Sequence, residues 1–152
     1  MTRVLTCAVS AFLMAAAAEA HVSVRPRESR SGATETYTVR VPTEGKVATT
    51  SVELEIPAGV TVNSVEQADG VTSGMKREGT RVISITWTVR IDPGQYRELV
   101  FVVRNPSDAT EIIWKAHQRY ADGTSSEWIG ALGTRQPASA TTLIASSAGG
   151  GK

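Results

Sequence analysis

From residue 21 onward, apolar and polar side chains alternate with a period of two, and this pattern decides what the chain can fold into. A strand turns successive side chains to opposite faces, whereas an amphipathic helix would repeat every 3.6 residues. Residues 81–91 are the clearest case, placing Ile83, Ile85, Trp87, Val89 and Ile91 on one face. Segments 35–41 and 51–56 alternate in the same way, and in 98–104 Leu99, Phe101 and Val103 share a side. In 111–120 one face carries Ile112, Trp114, Ala116, Gln118 and Tyr120. Shorter candidates are 22–25, 60–65 and 127–132.

Turn-forming residues fall between these segments: Pro57-Ala-Gly59, Asp69-Gly70, Asp92-Pro-Gly94, Asn105-Pro106 and Asp122-Gly123. Asp122-Gly123 predicts a hairpin, because both residues tolerate the positive φ that suits strand twist. Short strands at this spacing, with no competing amphipathic helix, predict an all-β chain: a two-sheet sandwich of the immunoglobulin/fibronectin-III-like kind. At 41% apolar and 20% charged residues, the composition supports one packed core and excludes a disordered chain. A formal net charge of +1 offers no footprint for nucleic acid.

The segment 1–20 reads as a secretory signal peptide. Arg3 is a basic start, residues 4–18 form an uncharged and largely apolar run, and Ala18-Glu19-Ala20 presents small residues to a peptidase. Cleavage after Ala20 would remove Cys7, the only cysteine, so the exported chain would have neither a disulfide nor a thiolate. No later apolar stretch is long enough for a transmembrane anchor. The expected organisation is a signal peptide at 1–20, a β-sandwich at 21–144 and a small, polar tail at 145–152. The expected location is the periplasm or the medium.

Most enzyme templates lack their residues. With two histidines and no remaining cysteine, there is no Cys–His pair, no helical two-histidine zinc motif and no Gly-x-Ser-x-Gly elbow. What draws attention is the position of His21. Cleavage after Ala20 would make it the first residue, and its free α-amine and Nδ1 could then close a six-membered chelate ring on a metal. An internal histidine has a peptide amide in place of that amine. Such nitrogen donors suit Cu(II), which tops the divalent affinity order. The plainer alternative is a solvated histidine at a frayed terminus. Glu35 shares strand parity with Tyr37, Val39 and Val41 and so points to the interior or its rim. It either precedes the strand proper and reaches solvent, or supplies an oxygen ligand to an ion at His21.

These residues sit in segments that resemble the YcnI-like copper-binding domain family. The similarity is carried by His21-Val-Ser-Val, Glu35-Thr-Tyr-Thr-Val-Arg-Val-Pro42, Trp87, Pro93-Gly94-Gln95, Asn105-Pro106, Trp114-Lys-Ala-His-Gln118 and the run from Tyr120 to Trp128. They occur in the family's order and span about residues 21–133. The resemblance implies an extracytoplasmic Cu(II)-binding protein of copper homeostasis, a non-enzymatic chaperone or buffer. It also implies a mono-histidine brace, in which His21 gives the amine and Nδ1, Glu35 the carboxylate and Trp128 the aromatic beside the metal. A membrane copper transporter would be a fitting partner. Trp87 and Trp114 are read as core.

Two other readings compete. A terminal histidine with a second histidine is the copper site of lytic polysaccharide monooxygenases, and His117 is the only second histidine here. It alternates with Ile112, Trp114, Ala116 and Tyr120, however, and should therefore face solvent. The third reading is an adhesion or assembly domain without a metal, for which sandwiches are common scaffolds.

Overall fold

The computed structural model describes residues 20–147. Segment 1–19 of the expected signal peptide and residues 148–152 of the expected tail lie outside it. The described residues contain strands and no helix: β1 Ser23–Arg25, β2 Glu28–Arg30, β3 Thr34–Pro42, β4 Thr49–Glu55, β5 Thr61–Val65, β6 Val71–Glu78, β7 Arg81–Ile91, β8 Tyr96–Arg104, β9 Glu111–Trp114, β10 Ala116–Tyr120, β11 Ser125–Trp128 and β12 Ser139–Ile144. They form a four-stranded sheet, β1-β3-β8-β5, a five-stranded sheet, β11-β10-β4-β7-β6, and a three-stranded sheet, β2-β12-β9. The two larger sheets bury their alternate apolar residues against each other in one core, giving the expected immunoglobulin-like sandwich. The small sheet lies across one edge, where Val24 N–H of β1 donates to Ser139 Oγ of β12 at 2.9 Å.

At the centre, Phe101 meets Tyr37, Trp87 and Trp114 at ring-centroid distances of 5.8, 6.0 and 5.6 Å. Trp87 and Trp114 are core residues, as their parity predicted. The Tyr37 hydroxyl donates to Asn105 Oδ1 at 3.0 Å, and Asn105 Nδ2 donates to Ser29 Oγ and to the Arg30 carbonyl, each at 2.9 Å. A buried amide with every polar atom bonded thus fixes the start of β3 against β2.

Three features depart from the sequence expectation. The segment 111–120 keeps its predicted inward face but is two strands: β9 belongs to the small sheet and β10 to the five-stranded sheet, with the change at Lys115. Ile83 does not share the face of Ile85. Lys76 pairs with Ser84 and Arg77 with Val82, so Ile83 is the extra residue of a bulge; Val82 turns inward, and Ile83 joins the outer face beside Glu53 and Glu55. The strand expected at 127–132 stops at Trp128. Beyond it the chain curls so tightly at Gly130 that a Cβ there would lie 2.4 Å from Thr134 Oγ1 and 3.0 Å from the Gln136 carbonyl.

The edge strand β6 was not legible in the sequence, because its exposed residues carry no apolar alternation. The predicted Asp122-Gly123 turn joins β10 to β11. Gly123 has φ of 84° there, and Asp122 Oδ1 accepts from Thr124 N–H at 3.0 Å.

Phe101 touches aromatic rings from both sheets, so Phe101→Ala should remove about 3–5 kcal/mol of stability. The check is the urea midpoint. A midpoint within error of the wild type would mean the aromatic cluster is not the centre of the core.

Candidate functional site

β1 pairs with β3 antiparallel, with Ser23 opposite Arg40 and Arg25 opposite Thr38. Continuing that register by two residues sets His21 level with Pro42, where β3 ends and the chain leaves in a loop towards β4. His21 is exposed, and its ring lies 5.3 Å from the indole of Trp128, tilted by 52°. Trp128 ends β11 and is only 7% exposed. The two rings line an open cleft of about 280 Å³ together with Pro42, Glu44, Gln118 and Arg135. The Trp128 indole N–H donates to Gln118 Oε1 at 3.0 Å, which ties the ring to the interior.

Of the three residues singled out from the sequence, the structure brings His21 and Trp128 together and leaves Glu35 apart. Glu35 lies seven positions along β3 from Pro42, more than about 20 Å at the rise of an extended strand. Its inward parity is satisfied locally: Oε2 accepts from the Ser29 hydroxyl at 2.6 Å, and Oε1 from Thr36 N–H at 3.2 Å. It belongs to the Ser29–Asn105–Tyr37 network at the far end of the sandwich, so it is not placed to share an ion with His21.

The carboxylate that lines the His21 cleft is Glu44, in the loop after β3. Sequence reasoning missed it because a loop has no periodicity to read. One signal was available: a first strand that pairs antiparallel with the next long strand starts where that strand ends, and Glu44 is the first carboxylate beyond that end.

No three side chains of His, Cys, Asp or Glu gather to hold an ion among the described residues. Among the side chains lining this cleft are one imidazole and one carboxylate, while the oxygens of Tyr120, Ser126 and Gln136 are engaged in hydrogen bonds of their own. A metal there would need a further ligand, and the nearest backbone group that processing could turn into a donor is the nitrogen of His21.

His117 points the other way. Its neighbour Gln118 is buried on the inner face behind the cleft, so His117 occupies the outer face of the five-stranded sheet. There the ring is held between two carboxylates, Nδ1 to Glu127 and Nε2 to Glu55, the latter at 2.7 Å. The side chain is 21% exposed, less open than a freely solvated histidine. The outer face and these two carboxylates separate it from His21, so the two histidines do not form a common site.

Comparison with known proteins adds the following. Residues 21–143 match the family described as a domain of unknown function, DUF1775. The copper-binding protein CutI of Bacillus subtilis (strain 168) is 37% identical over 137 residues, covering 88% of this chain and 67% of that protein. An uncharacterized protein from Nocardia farcinica, described as having an immunoglobulin-like fold, superposes with a TM-score of 0.72 at 28% identity, over 82% of this chain and 98% of that one. A cohesin module from a Clostridium perfringens family 33 glycoside hydrolase gives a TM-score of 0.56 at 14% identity, over 83% and 97% of the two chains, a likeness of fold alone.

Burial by itself would depress the His117 pKa, but the hydrogen bonds to Glu55 and Glu127 and their charges outweigh it, so the pKa is raised. The hydrogen bond to His117 in turn lowers that of Glu127. A histidine whose pKa is higher folded than unfolded stabilises the fold fully below its unfolded value of about 6.5. That contribution disappears as pH rises through the folded value, and it fades again in acid as Glu127 takes up a proton. The urea midpoint of the wild type minus that of His117→Gln should therefore be largest just below the unfolded value of about 6.5 and shrink as pH rises above it. A difference that does not vary with pH would show that folding leaves the proton affinity of the ring unchanged, and one that grows as pH rises would show that the ring is held neutral.

Proposed function

The chain belongs to the DUF1775 family, the YcnI-like family its motifs resemble, and from that membership we propose that it is an extracytoplasmic copper-binding protein of copper homeostasis. The observation that carries this reading is the seating of the His21 imidazole on the Trp128 indole, in a cleft whose carboxylate is Glu44. Export with cleavage after Ala20 would expose the α-amine of His21. Amine and Nδ1 then grip one Cu(II) ion as a mono-histidine brace, Glu44 supplies an oxygen in the role the family resemblance implied for Glu35, and Trp128 closes one side against water.

The donor chemistry favours Cu(II) over Cu(I). Nitrogen and oxygen donors suit the divalent ion, and no thiolate or thioether lines the cleft. Reduction of the bound ion should loosen it, which suits a protein that accepts copper and hands it on. We read the role as a chaperone or buffer, with a membrane copper transporter as the fitting partner. A non-enzymatic role is favoured over a lytic-polysaccharide-monooxygenase-like oxidase because the required second histidine, His117, is engaged on the outer face.

Both nitrogen donors must lose a proton to bind. Copper affinity, measured by competition over a series of pH values, should therefore fall as pH drops, because protons compete with the ion for both nitrogens.

In a Cu(II) titration followed by electron paramagnetic resonance, the protein beginning at His21 should bind one ion. His21→Ala should abolish the site and Glu44→Gln should weaken it by at least about tenfold, while Glu35→Gln and His117→Ala should leave it unchanged. Loss of binding in His117→Ala would favour the oxidase-like reading. No binding by the wild type would overturn the copper reading and leave an adhesion or assembly domain.

A further inference from the structure

Gln118 is completely buried among apolar neighbours on the inner face of β10, an environment in which an amide is tolerated only when all its polar atoms are bonded. Each of them is. Nε2 donates to the Pro42 carbonyl at 2.8 Å and to Thr49 Oγ1 at 2.7 Å, and Oε1 accepts from the Trp128 indole N–H at 3.0 Å. The orientation is unique: a flipped amide would set its N–H₂ against the indole N–H and its oxygen against the Pro42 carbonyl.

What those partners belong to gives the amide its meaning. Pro42 is the last residue of β3 and Thr49 the first of β4, so they are the two feet of the loop that carries Glu44. The feet are also tied by the Thr43 and Thr49 hydroxyls at 2.6 Å. Trp128 is the ring against which His21 rests. We infer that Gln118 is the positioning residue of the copper cleft: a single amide that fixes the carboxylate-bearing loop and the aromatic wall in one geometry, without itself touching the ion. This rests on the proposed copper reading and adds to it a residue that sets affinity from behind the ligands. Glu44 is exposed two residues beyond Pro42 and would be a weak ligand if that foot of the loop shifted. Groups that orient metal ligands from one layer out typically change affinity by about 10–100-fold when removed.

The test is a set of double-mutant cycles in the protein beginning at His21, with Cu(II) affinity measured by competition. Gln118→Met removes all of the amide's bonds. Thr49→Val removes only the bond at one loop foot and serves if Gln118→Met does not fold. Each is combined with Glu44→Gln. A positioning role predicts that either variant weakens copper binding by about tenfold or more, alters the paramagnetic resonance spectrum, and makes the added Glu44→Gln change nearly silent. In Gln118→Met the Trp128 indole N–H resonance should also move, while that of Trp114, bonded to Thr141 Oγ1, should stay.

A folded variant with wild-type affinity and spectrum, or additive losses throughout the cycles, would overturn the inference while leaving the copper site standing. Failure of the wild type to bind copper would remove the premise instead, so the two failures are distinguishable.

Discussion

The antiparallel pairing of β1 with β3 is the constraint from which the rest of the cleft follows. It is a short ladder, three residues long, yet it decides which end of the sandwich receives the start of the domain. Because the strands run in opposite directions, residue 21 is delivered to the end of β3 and to the loop carrying Glu44. The β10–β11 hairpin, with Ala116 opposite Trp128, brings the indole to the same edge of the other sheet. Parallel pairing would have sent His21 to the Glu35 end, away from Trp128.

Two buried amides organise the ends of the sandwich. Asn105 binds Tyr37, Ser29 and the Arg30 carbonyl, and through Ser29 it connects to Glu35. Gln118 binds Trp128, Pro42 and Thr49. In each case the interior accepts a polar group because every donor and acceptor is matched, and the match fixes a strand end that hydrophobic packing alone would leave free to slide. The first network closes on a carboxylate held by local donors. The second leaves its carboxylate, Glu44, free to face an open cleft.

Much of this was legible in the sequence. Period-two alternation gave the fold class, the buried aromatic core and the inward face of Ile112, Trp114, Ala116 and Gln118. The outward orientation of His117 followed from the same parity, but its half-buried seat between two glutamates did not, since they come from β4 and β11. Glu35 shows the limit: its inward parity was legible, but its distance from His21 was not. Alternation reports which face a side chain takes, not which residue of another strand it meets; that depends on pairing register, a long-range property. Ile83 fell to a bulge for the same reason. Trp128 came from family resemblance, because a tryptophan in a sandwich is otherwise read as core.

The central claim is that the backbone nitrogen of His21, freed by proteolysis, is a ligand. It is tested most directly by comparing two versions of the domain, one with a free His21 α-amine and one with that amine acetylated, in a Cu(II) titration read by electron paramagnetic resonance. The account predicts one tightly bound ion with nitrogen hyperfine structure for the free amine, and loss of that site on acetylation. Equal binding by the two would contradict it.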